Sequence, residues 1–157
     1  MRNSRTKATA PQDDRWRTDN AGRLLTNALR RFEDRVMALM VAAGHEQTRG
    51  WHVNLTRHLD LDGTRITELA RRAQMTNAAM TELIDQCETI GLVQRSVDPT
   101  DKRARLVCFT PQGEQWLADF GRAVAQAQQE MANEVGGSGL DAALAVLRRY
   151  GDGPTAG

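Results

Sequence analysis

The chain has 157 residues, 26% of them charged and 40% hydrophobic, with a formal net charge of +1. That length supports one domain with a substantial core, and the composition is that of an ordinary soluble globular protein. No apolar run approaches the roughly 20 residues needed to span a bilayer, the polar start lacks a secretory hydrophobic segment, and two cysteines without a paired pattern argue against a disulfide framework, so a cytoplasmic location is expected.

Residues 1–14 are polar, contain Pro11 and have no apolar periodicity, which predicts a disordered arm. Over residues 16–43 the apolar positions Leu25, Ala28, Leu29, Phe32, Val36, Leu39 and Met40 fall at helical spacing, giving one stripe on a long amphipathic helix that Gly44 stops. The stripe is long for a helix packed only on a small domain. A partner helix from a second subunit accounts for its length, and the alternative is a helix covering its own core. Thr48 is the expected cap of a second helix reaching about Asp60, with Trp51, Leu55 and Leu59 in register, and Asp62-Gly63 breaks it. Thr67 precedes a short helix through Glu68 to Ala73, and Gln74-Met75-Thr76 is the turn.

Thr76 caps the next helix, which carries Met80, Leu83, Ile84 and Cys87 on one face and Asn77, Ala78, Thr81, Glu82 and Asp85 on the other, ending at Gly91. Two apolar runs, Gly91-Leu92-Val93 and Leu106-Val107-Cys108-Phe109-Thr110, then flank the charged stretch Asp98-Pro99-Thr100-Asp101-Lys102-Arg103-Ala104-Arg105, which reads as a β-hairpin with a charged tip. Thr110-Pro111 starts a long helix through Trp116, Leu117, Phe120, Val124 and Met131 to about Val135. Gly136-Gly137-Ser138-Gly139 interrupts it, Leu140 to Tyr150 forms a last helix, and residues 151–157 read as a disordered tail. The expected fold is all-α with a small two-stranded β-hairpin wing. It divides into an N-terminal dimerisation helix (15–46), a winged helix-turn-helix lobe (47–112) and C-terminal dimerisation helices (113–150).

In a helix-turn-helix the second helix enters the major groove and its N-terminal residues meet base edges. Here those are Thr76, Asn77, Ala78 and Thr81. Asparagine pairs bidentately with adenine, threonine bonds to bases or phosphates, and a methyl group packs on thymine. The same residues also fit a capped, solvent-exposed face. The net charge of +1 is low for a nucleic-acid binder, but arginines concentrate at 71–72 and 95–105, on either side of this helix. Between Arg72 and Arg95 there is no Lys or Arg at all, while the helix carries Glu82, Asp85 and Glu88. Carboxylates facing phosphates weaken binding unless they read a cytosine amino group or pair with a neighbouring arginine. Base readout is therefore expected from neutral polar groups, with affinity resting on Arg71, Arg72 and the wing, and it should be modest and salt-sensitive.

The ordered set Ile66-Thr67-Glu68-Leu69-Ala70, Leu83-Ile84-Asp85, Glu88 to Val93, Asp98 to Arg103 and Leu106 to Gly113 resembles the MarR family of transcriptional regulators, over about residues 49–117. The resemblance implies a homodimeric repressor that binds double-stranded DNA at a pseudo-palindromic operator through two winged helix-turn-helix lobes. It also implies a small aromatic effector bound between the dimer region and the lobe. Arg103 takes the family's wing-tip position in the minor groove, where a narrow groove favours arginine, and Asp101 orients that side chain or, with Asp98, braces the hairpin. Lys102, Arg105 and Arg95 suit the flanking phosphates. The chain departs from the family in having Thr100 where arginine is common, and Glu82 where many relatives are basic.

His45, His52 and His58 lack metal-ligand spacing, and no CxxC pattern occurs, so neither a metal nor another cofactor is expected; the histidines are candidates for lining an effector pocket. Cys87 belongs to the apolar stripe, whereas Cys108 points away from the core and is a candidate redox switch. Relatives that sense oxidants place their cysteine on the first helix, where this chain has none. Trp16, Trp51 and Trp116 are expected as core or interface anchors. No phosphate loop or nucleophile-base pair is present, so no enzymatic activity is expected. The alternative function is a winged-helix interaction or dimerisation module without specific DNA binding.

Overall fold

The structure, a computed structural model, describes residues 14–153. After a 3₁₀ turn at Arg15–Arg17 come α1 (Ala21–Ala42), α2 (Gly50–Thr56), β1 (Thr64–Arg65), α3 (Ile66–Arg72), α4 (Asn77–Thr89), β2 (Val93–Asp98), β3 (Asp101–Phe109), α5 (Pro111–Val135) and α6 (Gly137–Gly151). The expected arm lies outside the described residues except for Asp14. Of the expected tail, Gly151 instead closes α6, and residues 154–157 lie outside the described part.

The first long helix starts at Ala21 rather than near Trp16. The Asn20 side chain accepts from the Arg23 N–H at 3.0 Å and so caps the helix there. Trp16 is left in the 3₁₀ turn, 68% exposed. α1 runs antiparallel to α5: Arg31 forks onto Glu134 and Arg35 onto Glu130, each through two hydrogen bonds of 2.6–2.7 Å. Those bonds hold both carboxyl groups below their ordinary range, Glu130 at about 2.

Thr48 caps nothing. It is buried and accepts from the Trp116 indole N–H at 2.8 Å, because an indole fully enclosed in the core needs an acceptor. The cap position of α2 falls to Arg49, the helix stops at Thr56, and Trp51 is exposed while His52 turns inward. α4 has the expected cap, with Thr76 Oγ1 accepting from the Ala79 N–H at 3.1 Å. Its Met80, Leu83, Ile84 and Cys87 are buried against Leu69 and Ala70 of α3 and the rest of one core. Burial pushes the Cys87 thiol up to about 12, so it packs as an apolar group.

The wing is part of a three-stranded antiparallel sheet in the order β1-β3-β2, not a two-stranded hairpin. β1 pairs Thr64 with Val107 and Arg65 with Leu106. The hairpin turn is short: Asp98 pairs with Asp101 after an irregularity at Val97/Asp98, and the charged residues from Asp101 onward already belong to β3. Val107 and Phe109 face the core and Cys108 lies half-buried on the opposite face, as the alternation predicts.

At the return from β3, Thr110 Oγ1 accepts from the Gly113 N–H at 2.9 Å, with Pro111 at the first helical position. Gly113 packs so tightly on the strand entrance that a Cβ there would overlap the Leu92 carbonyl and lie 3.2 Å from the Phe109 ring. The Thr-Pro-x-Gly run therefore welds α5 to the root of the wing.

Candidate nucleic-acid interface

α3, the turn and α4 form a helix-turn-helix. Gln74 makes the corner with φ 54°, and the Met75 N–H bonds to the Ala70 carbonyl at 2.8 Å. With the inner face of α4 in the core, Thr76, Asn77, Ala78, Thr81 and Glu82 are all exposed on its N-terminal half. The Thr81 hydroxyl donates to the Asn77 carbonyl at 2.8 Å, leaving its oxygen lone pairs available. Among the described residues the Asn77 side-chain amide has no partner.

The arginines divide into two groups. Arg95, on β2, is only 26% exposed: its guanidinium bridges Glu88 and Asp85 (2.6 Å to Asp85), and its backbone N–H donates to Glu88 Oε1 at 2.8 Å. Arg72 is 31% exposed and bonds to Glu68, Asp60 and the His58 carbonyl at 2.8–3.0 Å. Both were expected at DNA phosphates. In this structure each guanidinium is paired with acids of the lobe, because its own fold brings two carboxylates within its reach. Arg71 shares Glu68 at 2.6 Å but keeps 71% of its side chain exposed. These two arginines hold the Glu68 carboxyl at about 2.

Lys102, Arg103 and Arg105 on β3 are exposed. No carboxylate among the described residues pairs with their side chains; Arg105 makes only long bonds to the carbonyls of Lys102 and Ala104. Asp101 Oδ1 accepts from the Arg103 backbone N–H at 3.0 Å, so it touches the strand and not the guanidinium. Asp98 is nearly buried and takes four donors: Thr100 N–H (2.8 Å) and Oγ1 (2.7 Å) on one oxygen, Arg65 Nε (2.9 Å) and Nη2 (2.6 Å) on the other. Those hydrogen bonds, Thr100 first and Arg65 after, hold its carboxyl at about 2. Thr100, where an arginine is common, thus closes the hairpin turn.

Arg65 is the residue sequence reasoning missed. Placed on β1 at the start of α3, it ties the wing tip to the helix-turn-helix, just as Arg95 ties the wing root to α4. The hairpin is therefore fixed alongside the two helices at both ends. The only signal was a basic residue ahead of a helix, and nothing local pairs it with an aspartate 33 positions away.

A cavity of about 300 Å³ lies where α1, α2 and α5 meet, lined by Leu29, Phe32, Val36, Met37, Val53 and Phe120, with Glu33 and Arg57 3.6 Å apart at its edge. None of the three histidines lines it. The buried His52 accepts from the Arg49 N–H at 3.1 Å, its pKa lowered first by burial and then by Arg49; His45 bonds to Asp119 at 2.8 Å. Among the described residues no group of His, Cys, Asp or Glu is arranged to hold a metal ion, and no helix is long and apolar enough to cross a membrane.

These features define a winged helix-turn-helix protein with long terminal helices. A sequence model of the MarR family matches residues 55–104, from the end of α2 to the wing. The transcriptional regulator HosA of Escherichia coli O111:H- is 41% identical over 59 residues, which is 38% of this chain and 44% of that protein, so the match spans less than half of its length. The fold is similar to that of the transcriptional repressor CouR bound to a 23-mer DNA duplex (TM-score 0.66, 23% identity, 85% of this chain and 93% of that one). It is also similar to CouR from Rhodococcus jostii RHA1 bound to p-coumaroyl-CoA (TM-score 0.68, 20% identity, 89% and 97%) and to apo wild-type MarR from E. coli (TM-score 0.67, 20% identity, 83% and 96%).

Proposed function

We propose that this protein is a homodimeric transcriptional regulator of the MarR type, a repressor acting in the cytoplasm on a pseudo-palindromic operator and without enzymatic activity. The observation that carries this reading is the sorting of charge in the lobe. Arg65, Arg72 and Arg95 are paired with internal carboxylates, while no carboxylate among the described residues pairs with Lys102, Arg103 or Arg105 on a wing braced at both ends. A fixed hairpin with uncompensated cations is suited to phosphate and minor-groove contact. Beside it α4 offers Thr76, Asn77, Ala78 and Thr81 to base edges. Arg71, largely exposed, can exchange Glu68 for a phosphate.

Dimerisation is supported by apolar surface on the terminal helices. Leu24, Leu25 and Leu29 of α1 and Val146, Leu147 and Tyr150 of α6 are exposed, Tyr150 at 82%, and of the 15 residues of α6 only Leu140 is buried. Such a helix packs on something beyond its own chain. The cavity between α1, α2 and α5 is of a size for a small aromatic effector and sits where dimer helices meet the lobe. An effector acts there by binding more tightly to the lobe spacing that misfits DNA.

The pairing of Arg95 with Asp85 and Glu88 also weakens the alternative of an interaction module, since it neutralises much of the acidic helix on which that alternative rests. A gel shift on the DNA flanking the protein's own gene tests the reading. Salt-sensitive retardation of that DNA and not of a scrambled duplex is expected; no retardation at low salt overturns it.

A further inference from the structure

Of the three carboxylates on α4, Asp85 and Glu88 are both held by Arg95, whereas Glu82 is exposed and, among the described residues, has no partner. At 100° per residue the buried set Met80, Leu83, Ile84 and Cys87 fixes the outward direction of the helix. Ala78, Glu82 and Asp85 lie close to that direction, with Glu82 one turn beyond Ala78. Nearest to Glu82 in the first turn stand the small side chains of Ala78 and Ala79, with Asn77 further round the helix, so the helix can approach a groove floor closely, and Glu82 has the reach to touch a base there.

A free carboxylate on that face meets a polyanion, and solvation lost without a donor weakens binding. The major groove offers amino donors on cytosine N4 and adenine N6, but adenine presents its N7 acceptor next to the amino group and repels a carboxylate, whereas cytosine does not. Resting on the DNA-binding reading above, we propose that Glu82 is a specificity-determining residue: it accepts a hydrogen bond from the N4 amino group of a cytosine at one fixed position in each operator half-site. The residue that makes α4 poor at non-specific binding is then the one that selects its sequence. Neutral polar groups alone do not complete the readout.

Selection from a randomised duplex pool, followed by titration of the selected duplex, tests this with the wild-type chain, Glu82→Ala and Glu82→Gln. Glu82 is exposed and, among the described residues, makes no hydrogen bond or ion pair, so the variants are expected to fold as the parent does. Wild type selects C·G at one position of each half-site and loses about 5- to 150-fold when it is changed to T·A. Glu82→Ala shrinks that loss to about threefold or less while binding scrambled DNA more tightly, and Glu82→Gln moves the preference towards A·T, which glutamine reads bidentately. The inference is overturned if Glu82→Ala keeps the wild-type cytosine preference, or if wild type selects a site lacking such a cytosine. A wild-type chain that enriches no sequence overturns the DNA-binding reading itself, and this inference with it.

Discussion

Arg95→Ala separates a clamp from a phosphate contact. Its guanidinium is 26% exposed and Glu88 30% exposed, so the Arg95–Glu88 bonds are partly shielded; Asp85, at 62%, is in solvent. Charge-assisted hydrogen bonds of the first kind contribute about 1–2 kcal/mol after discounting for solvent, and the exposed pair about 0.5 kcal/mol or less. Removing the arginine therefore destabilises the lobe by about 2 kcal/mol, a fall in Tm of about 4–8 °C for a chain of this size. Calorimetry at fixed protein concentration reads this, since the proposed dimerisation would make Tm concentration-dependent. In Asp85→Asn/Glu88→Gln protein the same Arg95→Ala change should cost much less, because the partners are already neutral. DNA affinity falls as the wing loosens and two acids are uncovered, but the slope of log K against log salt stays put, because no phosphate contact is removed. A variant melting within 1 °C of the parent, with the slope reduced by about two, would refute the clamp and return Arg95 to the phosphates.

Gly113→Ala should lower Tm by more than the Arg95 change: the new methyl must push α5 off the Leu92 carbonyl, which combines overpacking of about 1–3 kcal/mol with loss of the Thr110 cap, about 1 kcal/mol; a melt like the parent's contradicts the close approach. Asp98, Glu68 and Glu130 have carboxyl groups held at about 2, below their unfolded values. Their contribution is complete above about pH 4.5 and is lost as pH falls through about 2. Tm should therefore drop between pH 4.5 and 2, and less steeply in Asp98→Asn; identical acid profiles for the two proteins would contradict the wing-tip assignment.

Features set by neighbours in sequence were legible before the structure. The Thr76 cap, the inner face of α4 and the Thr110-Pro111 helix start all depend on spacings of three or four residues, and the sign of each is local. The hairpin was legible too, but its tip was drawn too long: charged residues at 101–105 resemble a loop until pairing with β2 makes them a strand. β1 is two residues long and pairs across the lobe, so no periodicity announces it. Thr48 has the look of a cap, and only the path of α5 reveals that the Trp116 indole claims its hydroxyl. The division of arginines into clamps and free cations was the part of the site least visible, because charge patterning shows which acids and bases exist and not which of them meet.

The most direct test of the account is a salt series of fluorescence-anisotropy titrations on the selected operator, comparing wild type with Arg103→Ala. In the proposed dimer, with three wing cations per protomer that no carboxylate pairs with, log K should fall against log salt with a slope of about −5, and Arg103→Ala should both weaken binding and make that slope shallower by about two. A wild-type affinity indifferent to salt, or an Arg103→Ala protein with unchanged affinity and slope, would contradict the claim that the wing is the principal grip on DNA.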